Sequence, residues 1–340
     1  MCDASYTVTA ATAADEGYVL PLAVTVRSAI DSLGEDHRLR LFVLDGGITP
    51  VSRDKLEQSW VDPRVTIEWL QPEVEVVRHL PISHHVSIAC YLRLLLPELT
   101  PDDVGKLVYF DSDMLIRRDL ADLYSEPLDD QLALAVQDMA APWMDSEVVT
   151  DDFQQQLPYL SAARPVPNYR ELGIRPEAPY FNSGLLVLDA SRWRREGIGR
   201  QVLQCLEDHR EHILWWDQYA LNVVLADRWR PLDARWNQTA GVYQYPSWQE
   251  SPLTEQAYYE LRDDPWIVHY CSPSKPWHFH CDHAYRDDFF ATLDRTAWRG
   301  WRPDEPKITA PAGWRHFRRQ FRLSVKAAAA SAYERLFKAA

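Results

Sequence analysis

The chain has 340 residues, of which 46% are hydrophobic and 12% aromatic, so it can bury a sizeable core as one large domain or two smaller ones. Its formal net charge of −14 argues against a nucleic-acid-binding protein, because phosphate contacts require clustered Lys and Arg. The five cysteines show no Cys-x-x-Cys spacing, so neither a disulfide framework nor a structural zinc site is predicted.

Strand-like and helix-like segments alternate along the chain, which is the pattern of a layered α/β domain. Apolar runs predict strands at 6–11, 39–44, 65–69, 107–110, 132–136 and 182–188. Apolar residues at helical spacing predict helices at 21–32, 52–60, 87–99, 197–214 and 217–225. The stretch 138–178 is rich in Pro, Asp and aromatic residues without a clear period, and we interpret it as an insertion that shapes a pocket.

Two carboxylates follow the apolar run 107–110 directly. This run is too short for a helix and too uniformly apolar for a half-exposed strand, so it predicts a buried strand of a mostly parallel sheet. Residues i and i+2 of an extended segment point to the same side, so Asp111 and Asp113 can face one cation while Ser112 faces away. A polar turn at the end of the strand is the alternative, and for an isolated Asp-x-Asp it is the more common one.

A second apolar run, 266–268, leads to His269 in the same strand-then-ligand arrangement. An imidazole with two carboxylates forms a mixed N/O site, which suits Mn²⁺ better than a purely oxygen-lined Mg²⁺ or Ca²⁺ site does. Lys275 follows on a loop stiffened by Pro276 and is suited to bind a phosphate. A hydrogen-bonded core histidine is the alternative for His269.

Taken together and in order, these clusters resemble glycosyltransferase family 8, the family of glycogenin and of bacterial lipopolysaccharide galactosyl- and glucosyltransferases. The resemblance covers most of the chain. It is carried by Arg93 in Tyr91-Leu-Arg-Leu94, Asp111-x-Asp113, Phe181-Asn-Ser-Gly184, Asp217-Gln218 followed by Leu221-Asn222, and the stretch from His269 to Lys275-Pro-Trp277.

The resemblance implies an α/β fold: a single GT-A type, Rossmann-like nucleotide-sugar-binding domain with a mixed, mostly parallel sheet over residues 1–285, and a C-terminal helical extension over 286–340. It implies Mn²⁺ or Mg²⁺ bound by Asp111, Asp113 and His269. The implied nucleotide and diphosphate contacts are Ala10, Ala11, Asp15, Tyr18, Ser112, Ser272 and Lys275. The implied donor-sugar contacts are Arg93, Asn182, Ser183, Asp217 and Gln218, of which Asp217 and Gln218 are the catalytic candidates.

The activity implied is retaining transfer of glucose or galactose from a UDP-sugar to a saccharide or lipid-linked saccharide such as lipopolysaccharide. Same-face attack and a double displacement both remain open. A self-glycosylating primer and a sugar-1-phosphate nucleotidyltransferase are alternatives, although the latter needs a Gly-rich loop near the first strand, which 10–14 lacks. Two positions depart from the family: Ser272 replaces a glycine, and Tyr219 stands where many members have Asp.

The last residues differ in charge from the rest. Residues 312–340 contain seven Lys and Arg and one Glu, and Trp314, Phe317, Phe321 and Val325 fall at helical spacing among them. This pattern predicts a basic amphipathic helix that either lies on an anionic membrane or packs on the acidic body. Because no apolar run approaches 18 residues, we expect a cytoplasmic protein that can associate peripherally with the inner face of the membrane.

Overall fold

A computed structural model describes residues 6–80, 89–151 and 153–305. The predicted α/β architecture with a mixed, mostly parallel sheet is confirmed. The main sheet has the order β3-β2-β1-β4-β7-β6-β8, and a smaller sheet has the order β5-β10-β9. The strands are β1 (Tyr6–Ala14), β2 (His37–Asp45), β3 (Val65–Leu70), β4 (Lys106–Phe110), β5 (Met114–Ile116), β6 (Ala133–Gln137), β7 (Phe181–Asp189), β8 (Trp229–Pro231), β9 (Gln238–Thr239) and β10 (Ile267–His269).

Helices cover both faces of the main sheet. They are α1 (Val19–Asp31), α2 (Pro50–Ser59), α3 (Ala89–Leu92), α4 (Leu96–Leu99), α5 (Leu120–Ser125), α6 (Ser146–Val149), α7 (Phe153–Gln156), α8 (Ala190–Glu196), α9 (Ile198–Asp208), α10 (Trp216–Val224), α11 (Glu255–Asp263) and α12 (Arg286–Leu293). Short 3₁₀ turns lie between them, at Glu16–Tyr18, Val74–Val76, Arg93–Leu95, Leu157–Tyr159, Arg210–His212, Ala234–Asn237, Ala240–Gln244 and Trp248–Glu250.

The uniformly apolar strand β4 is buried because it contributes to a core on each face of the sheet. Its alternate residues Leu107 and Tyr109 pack in one cluster with Phe42 and Trp193. Val108 and Phe110 point to the other face. A central strand with helices on both sides has no solvent-facing side, and this explains why its sequence does not alternate.

The direction of each strand determines which side chains meet at one edge of the main sheet, here called the functional edge, where the carboxyl ends of β1 and β4 lie. β1 and β4 run parallel, so their carboxyl ends lie together. β7 runs antiparallel to β4, with Leu185 opposite Phe110, so the start of β7 lies at this same edge. β6 is antiparallel to β7 and ends there with Gln137 opposite Phe181. The edge therefore collects the residues that follow β1, β4 and β6 and those that open β7.

The predicted helix at 87–99 is interrupted in the structure. Residues 81–88 lie outside the described ranges, and the remainder is α3, the 3₁₀ turn Arg93–Leu95 and α4. Pro97 has no N–H to give to the carbonyl of Arg93, and the N–H of Leu96 binds that carbonyl instead. The tighter turn at Arg93 is the local consequence of this proline.

A compact unit extends to Trp301 and includes α12, which packs against α1. The predicted boundary between 285 and 286 stays a prediction. The predicted amphipathic helix beyond residue 312 lies outside the described residues. Within the described part of the chain, every helix is too short or too polar to span a lipid bilayer.

Candidate active site

Two carboxylates and an imidazole meet at the functional edge. Asp111 directly follows β4, Asp113 directly precedes β5, and His269 ends β10 opposite Met114. His269 Nε2 lies 3.7 Å from Asp111 Oδ2 and 3.3 Å from Asp113 Oδ1. One ligand atom from each residue lies within 4.8 Å of the others. The predicted cluster is thus present, and its size and N/O donor set fit a divalent cation.

Hydrogen bonds connect the turn that carries Asp111 and Asp113 to helix α1. The hydroxyl of Thr25 lies 2.9 Å from the carbonyl oxygen of Ser112 and 2.8 Å from that of Met114. Farther along α1, the hydroxyl of Ser28 accepts a hydrogen bond from the N–H of Ile116 at 2.9 Å. These buried contacts hold the backbone on both sides of Asp113, from Ser112 to Ile116, against α1.

Gly184 is required by the close approach of His269. The N–H of Asp111 donates to the Gly184 carbonyl at 2.8 Å, which brings β7 against the turn formed by residues 111–113. A methyl group at Gly184 would overlap the imidazole of His269 and would lie 2.9 Å from Asp111 Oδ2. The glycine of the Phe181–Gly184 motif therefore makes room for the histidine ring.

Lys275 adds a buried positive charge beside the cluster. Its Nζ donates to Asp113 Oδ2 at 2.7 Å and to the Tyr270 carbonyl at 2.5 Å. Burial alone would raise the pKa of Asp113, but the positive charge of Lys275 and the polar ring of His269 beside it hold the pKa well below its usual value. Asp113 is therefore an ionised carboxylate that already attracts a cation, as a metal ligand must.

Arg93 lies between Asp111 and Asp217. Its guanidinium lies 3.0 Å from Asp111 Oδ1 and 2.9 Å from Asp217 Oδ2, and it donates to the Ser183 carbonyl at 2.5 Å. Burial raises the pKa of Asp217 to about 6, because desolvation outweighs the attraction of Arg93. Burial acts in the opposite direction on Arg93, but Asp111 and Asp217 hold its pKa above the usual value.

The amide of Gln218 is held on both sides. Its Oε1 accepts from the N–H of Ser183 at 3.1 Å, and its Nε2 donates to Asp138 Oδ2 at 3.1 Å. Asn182 Nδ2 donates to the same carboxylate oxygen at 3.2 Å. The predicted residues Asn182, Ser183 and Gln218 thus form one hydrogen-bonded group around Asp138.

Two polar residues of this region were missed by the sequence analysis. Asp138 follows the predicted strand 132–136 closely, so the strand-then-carboxylate pattern that singled out Asp111 could have identified it. Asn237 ends a 3₁₀ turn just before β9, and its side chain meets both Asn182 and His269. No periodic signal marks that position.

Most of the residues described above surround a cleft of about 870 Å³. It is lined by Arg93, Asp111, Ser112, Asp113, Asn182, Ser183, Asp217, Gln218, His269, Ser272 and Lys275, together with Asp15 and Tyr18 after β1. The structure does not bring Ala10 and Ala11 into the cleft. Both are fully buried inside β1, which runs to Ala14 rather than to residue 11, and Ala13 and Ala14 line the cleft instead.

Aromatic residues form part of the cleft wall. Trp215 and Trp216 precede Asp217 and line the cleft, as does Trp277. Trp216 has a φ of 40°, an uncommon backbone conformation for a bulky residue.

Both positions that depart from the family pattern have hydrogen-bond partners in the structure. The hydroxyl of Ser272 donates to the Ser274 carbonyl at 2.8 Å, so its side chain is used within its own loop. The side chain of Tyr219 packs in the core, where its hydroxyl donates to Asn168 Oδ1 at 2.9 Å. A residue at position 219 therefore faces away from the cleft.

Comparison with known proteins agrees with this geometry. A family model described as Glycosyl transferase family 8 matches residues 9–281. The chain belongs to this family. It is 29% identical over 288 residues to General stress protein A of Bacillus subtilis (strain 168), covering 84% of the chain and 92% of that protein. It is 24% identical over 230 residues to lipopolysaccharide glucosyltransferase WaaO of Escherichia coli (strain K12), covering 66% of the chain and 59% of that protein.

A solved structure agrees with the fold. The galactosyltransferase LgtC, in complex with donor and acceptor sugar analogs, superposes with a TM-score of 0.68 at 24% identity. The match covers 91% of this chain and 99% of that one. The predicted GT-A fold is thereby confirmed.

Proposed function

We propose that this family 8 chain is a retaining, divalent-metal-dependent hexosyltransferase that moves glucose or galactose from a UDP-sugar to a saccharide or lipid-linked saccharide. The observation that carries the proposal is that the cluster of Asp111, Asp113 and His269 shares one cleft with Asp217 and Gln218. The names of two similar proteins, a lipopolysaccharide glucosyltransferase and a galactosyltransferase, support a hexose donor.

The leaving group of such a donor is a nucleoside diphosphate, and the cleft is suited to bind it. A Mn²⁺ or Mg²⁺ ion held by the three ligands would supply positive charge to the diphosphate as it leaves. Lys275 lines the same cleft and adds a second charge. Asp15 and Tyr18, which follow β1 at the cleft, are suited to contact the nucleotide.

The sugar side of the cleft offers groups that hold hydroxyls and stabilise a developing cation. Arg93 and Asn182 line the cleft beside the pair Asp217 and Gln218. The oxygen of the Gln218 amide carries a partial negative charge suited to an oxocarbenium-like transition state. Asp217 is only 3% exposed and is paired with Arg93, an arrangement that favours a binding role over nucleophilic attack. We therefore propose attack on the face from which UDP leaves.

The acceptor end is proposed to lie between two segments. Asp138, Ala140 and Ser161 line the cleft from the stretch 138–178, which was interpreted as a pocket-shaping insertion. Thr239 at the end of β9 and Ala240, Gly241 and Gln244 after it line the cleft from the second segment. We propose that the side chains of these two segments contact the acceptor and determine which acceptor the enzyme uses.

We further propose that the segment 312–340 carries the enzyme to the anionic inner face of a membrane, where a lipid-linked acceptor lies. The support is its seven Lys and Arg against one Glu in a chain with a net charge of −14. Basic amphipathic segments of this kind bind anionic lipid through charge and apolar contact.

The experiment is a donor screen with matched variants. Purified protein is incubated with a panel of UDP-sugars and Mn²⁺, and hydrolysis and transfer are measured with and without EDTA. Asp113→Asn should abolish turnover, because loss of one anionic ligand weakens both the ion and its hold on the diphosphate. Asp122→Asn is the control, since Asp122 is exposed and forms an ion pair with Arg118 on the surface.

Two outcomes would contradict the proposal. Turnover that persists in Asp113→Asn with EDTA present would exclude the metal site. A β-linked product from an α-linked donor, detected by the anomeric proton in NMR, would exclude retention.

A further inference from the structure

A line of buried amides joins the sugar side of the cleft to the metal ligand His269. Asn182 Nδ2 donates to Asp138 Oδ2 at 3.2 Å, and Asn182 Oδ1 accepts from Asn237 Nδ2 at 3.0 Å. Asn237 Oδ1 then lies 3.0 Å from His269 Nδ1. Asp138, Asn182, Asn237 and His269 are each at most 8% exposed, so bulk water does not compete for these contacts.

The direction of every hydrogen bond in this line is determined. Asp138 Oδ2 accepts from Gln218 Nε2, whose amide is oriented by the N–H of Ser183, and it accepts from the NH₂ of Asn182 as well. The N–H of Gly184, which can only donate, lies 3.0 Å from Asn182 Oδ1 and gives the same orientation independently. Asn182 Oδ1 also faces the amide of Asn237, and because this oxygen only accepts, the group of Asn237 that contacts it must be the NH₂. The oxygen of Asn237 must then face the histidine.

An amide oxygen only accepts, so the ring nitrogen facing Asn237 must carry a proton. Nδ1 of His269 is therefore the N–H, and in the neutral ring the lone pair lies on Nε2. Nε2 is the atom that faces Asp111 Oδ2 and Asp113 Oδ1. The line thus leaves an unprotonated nitrogen on the side where a cation binds.

We propose that Asn237 is a positioning residue that selects the metal-binding tautomer of His269, with its own orientation imposed by Asn182 and Asp138. The inference rests on the proposed metal site. Asn237 does not line the cleft and acts only through the histidine. Partners of this kind orient the ligand ring and raise its basicity, and their loss typically lowers metal affinity about 10- to 100-fold.

The first test needs no metal and no substrate. Long-range ¹H–¹⁵N NMR of ¹⁵N-histidine-labelled protein reports which ring nitrogen carries the proton, and a His269→Gln variant assigns the signal. At a pH where the ring is neutral, we expect the Nδ1–H form in the metal-free protein. A predominant Nε2–H form would overturn the proposal even if the protein proved to be an active, metal-dependent transferase.

The second test compares three variants by Mn²⁺ titration calorimetry. Asn237→Leu removes the acceptor and should weaken Mn²⁺ binding about 10- to 100-fold. Asn237→Asp keeps an acceptor for Nδ1–H but loses the donor to Asn182, and it should retain most of the affinity. The control is Asn168→Leu, which removes another buried amide, one that accepts a hydrogen bond from the hydroxyl of Tyr219 rather than contacting His269. This variant should leave Mn²⁺ affinity unchanged.

The pattern of affinities separates positioning from simple packing. If Asn237→Leu and Asn237→Asp lose Mn²⁺ affinity equally, the residue acts only as a structural amide and the proposal fails. If wild-type protein binds no Mn²⁺, the proposed function fails, and the NMR measurement still decides the tautomer. The NMR measurement on wild-type protein likewise decides the proposal if a variant does not fold.

Discussion

Replacing Gly184 by alanine tests how tightly the His269 ring is packed. The added methyl would overlap the His269 ring and lie 2.9 Å from Asp111 Oδ2. The ring cannot simply rotate, because Nδ1 contacts Asn237 and Nε2 faces the carboxylates. Overpacking of a buried site costs about 1–3 kcal/mol, and we expect that loss in the free energy of unfolding. Displacement of the ring should also weaken Mn²⁺ binding.

Urea unfolding followed by tryptophan fluorescence measures the stability, and calorimetry measures Mn²⁺ affinity. The matched control is Gly105→Ala, where the new methyl would lie 3.6 Å from Ser191 Oγ, an ordinary contact. It should leave Mn²⁺ affinity unchanged and can stabilise the protein by up to about 1 kcal/mol, by restricting the unfolded chain. A Gly184→Ala protein with wild-type stability and Mn²⁺ affinity would refute the close-packing argument.

Three further predictions concern catalysis, pH and the C-terminal segment. Gln218→Ala should lower kcat more than it raises KM if the amide acts on the developing cation, and steady-state kinetics showing a pure KM effect would make Gln218 a binding residue. Burial raises the pKa of Asp217 from 3.8 to about 6, so the folded protein holds the proton of this carboxyl more tightly than the unfolded chain does. The resulting contribution to the free energy of unfolding is fully present below pH 4 and is lost as pH rises through 6. The change is roughly 3 kcal/mol. Urea unfolding as a function of pH should therefore show a steeper decline over this window in wild type than in Asp217→Asn, and parallel curves would contradict the burial argument. Removing residues 312–340 should leave UDP-sugar hydrolysis intact and reduce binding to anionic vesicles, since each basic residue near such a surface contributes roughly 1 kcal/mol to the binding free energy. Vesicle sedimentation measures the binding, and a full-length protein that does not bind vesicles at low salt would exclude the membrane role.

Short-range patterns were sufficient to predict most of the elements. The strands at 107–110 and 182–188 were predicted because central strands covered on both faces are uniformly apolar, and the structure has β4 and β7 there. Asp111 and Asp113 were predicted to share one ion because side chains two residues apart in an extended segment point to the same side. Both carboxylates do lie near His269 Nε2.

Boundaries and breaks were predicted less well, because they depend on pairing and on single backbone groups. β1 continues to Ala14 because each of its residues pairs with β2 up to Asp45, and this moves the cleft-lining positions to Ala13 and Ala14. The predicted helix at 87–99 contains a 3₁₀ turn at Arg93, because Pro97 cannot supply the expected N–H.

By itself, the sequence determined the α/β class, the family and the chemical types at the site, since these follow from periodicity and from motifs a few residues long. Tertiary structure alone decided which distant groups share a hydrogen bond. Asn237 carries no local signal of its importance. It meets Asp138 through Asn182, because β7, which carries Asn182, runs antiparallel between β4 and β6. The need for glycine at 184 is of the same kind, because the space it leaves is filled by a histidine 85 positions away in the chain. Strand order and direction, which the sequence does not state, place these residues at one edge.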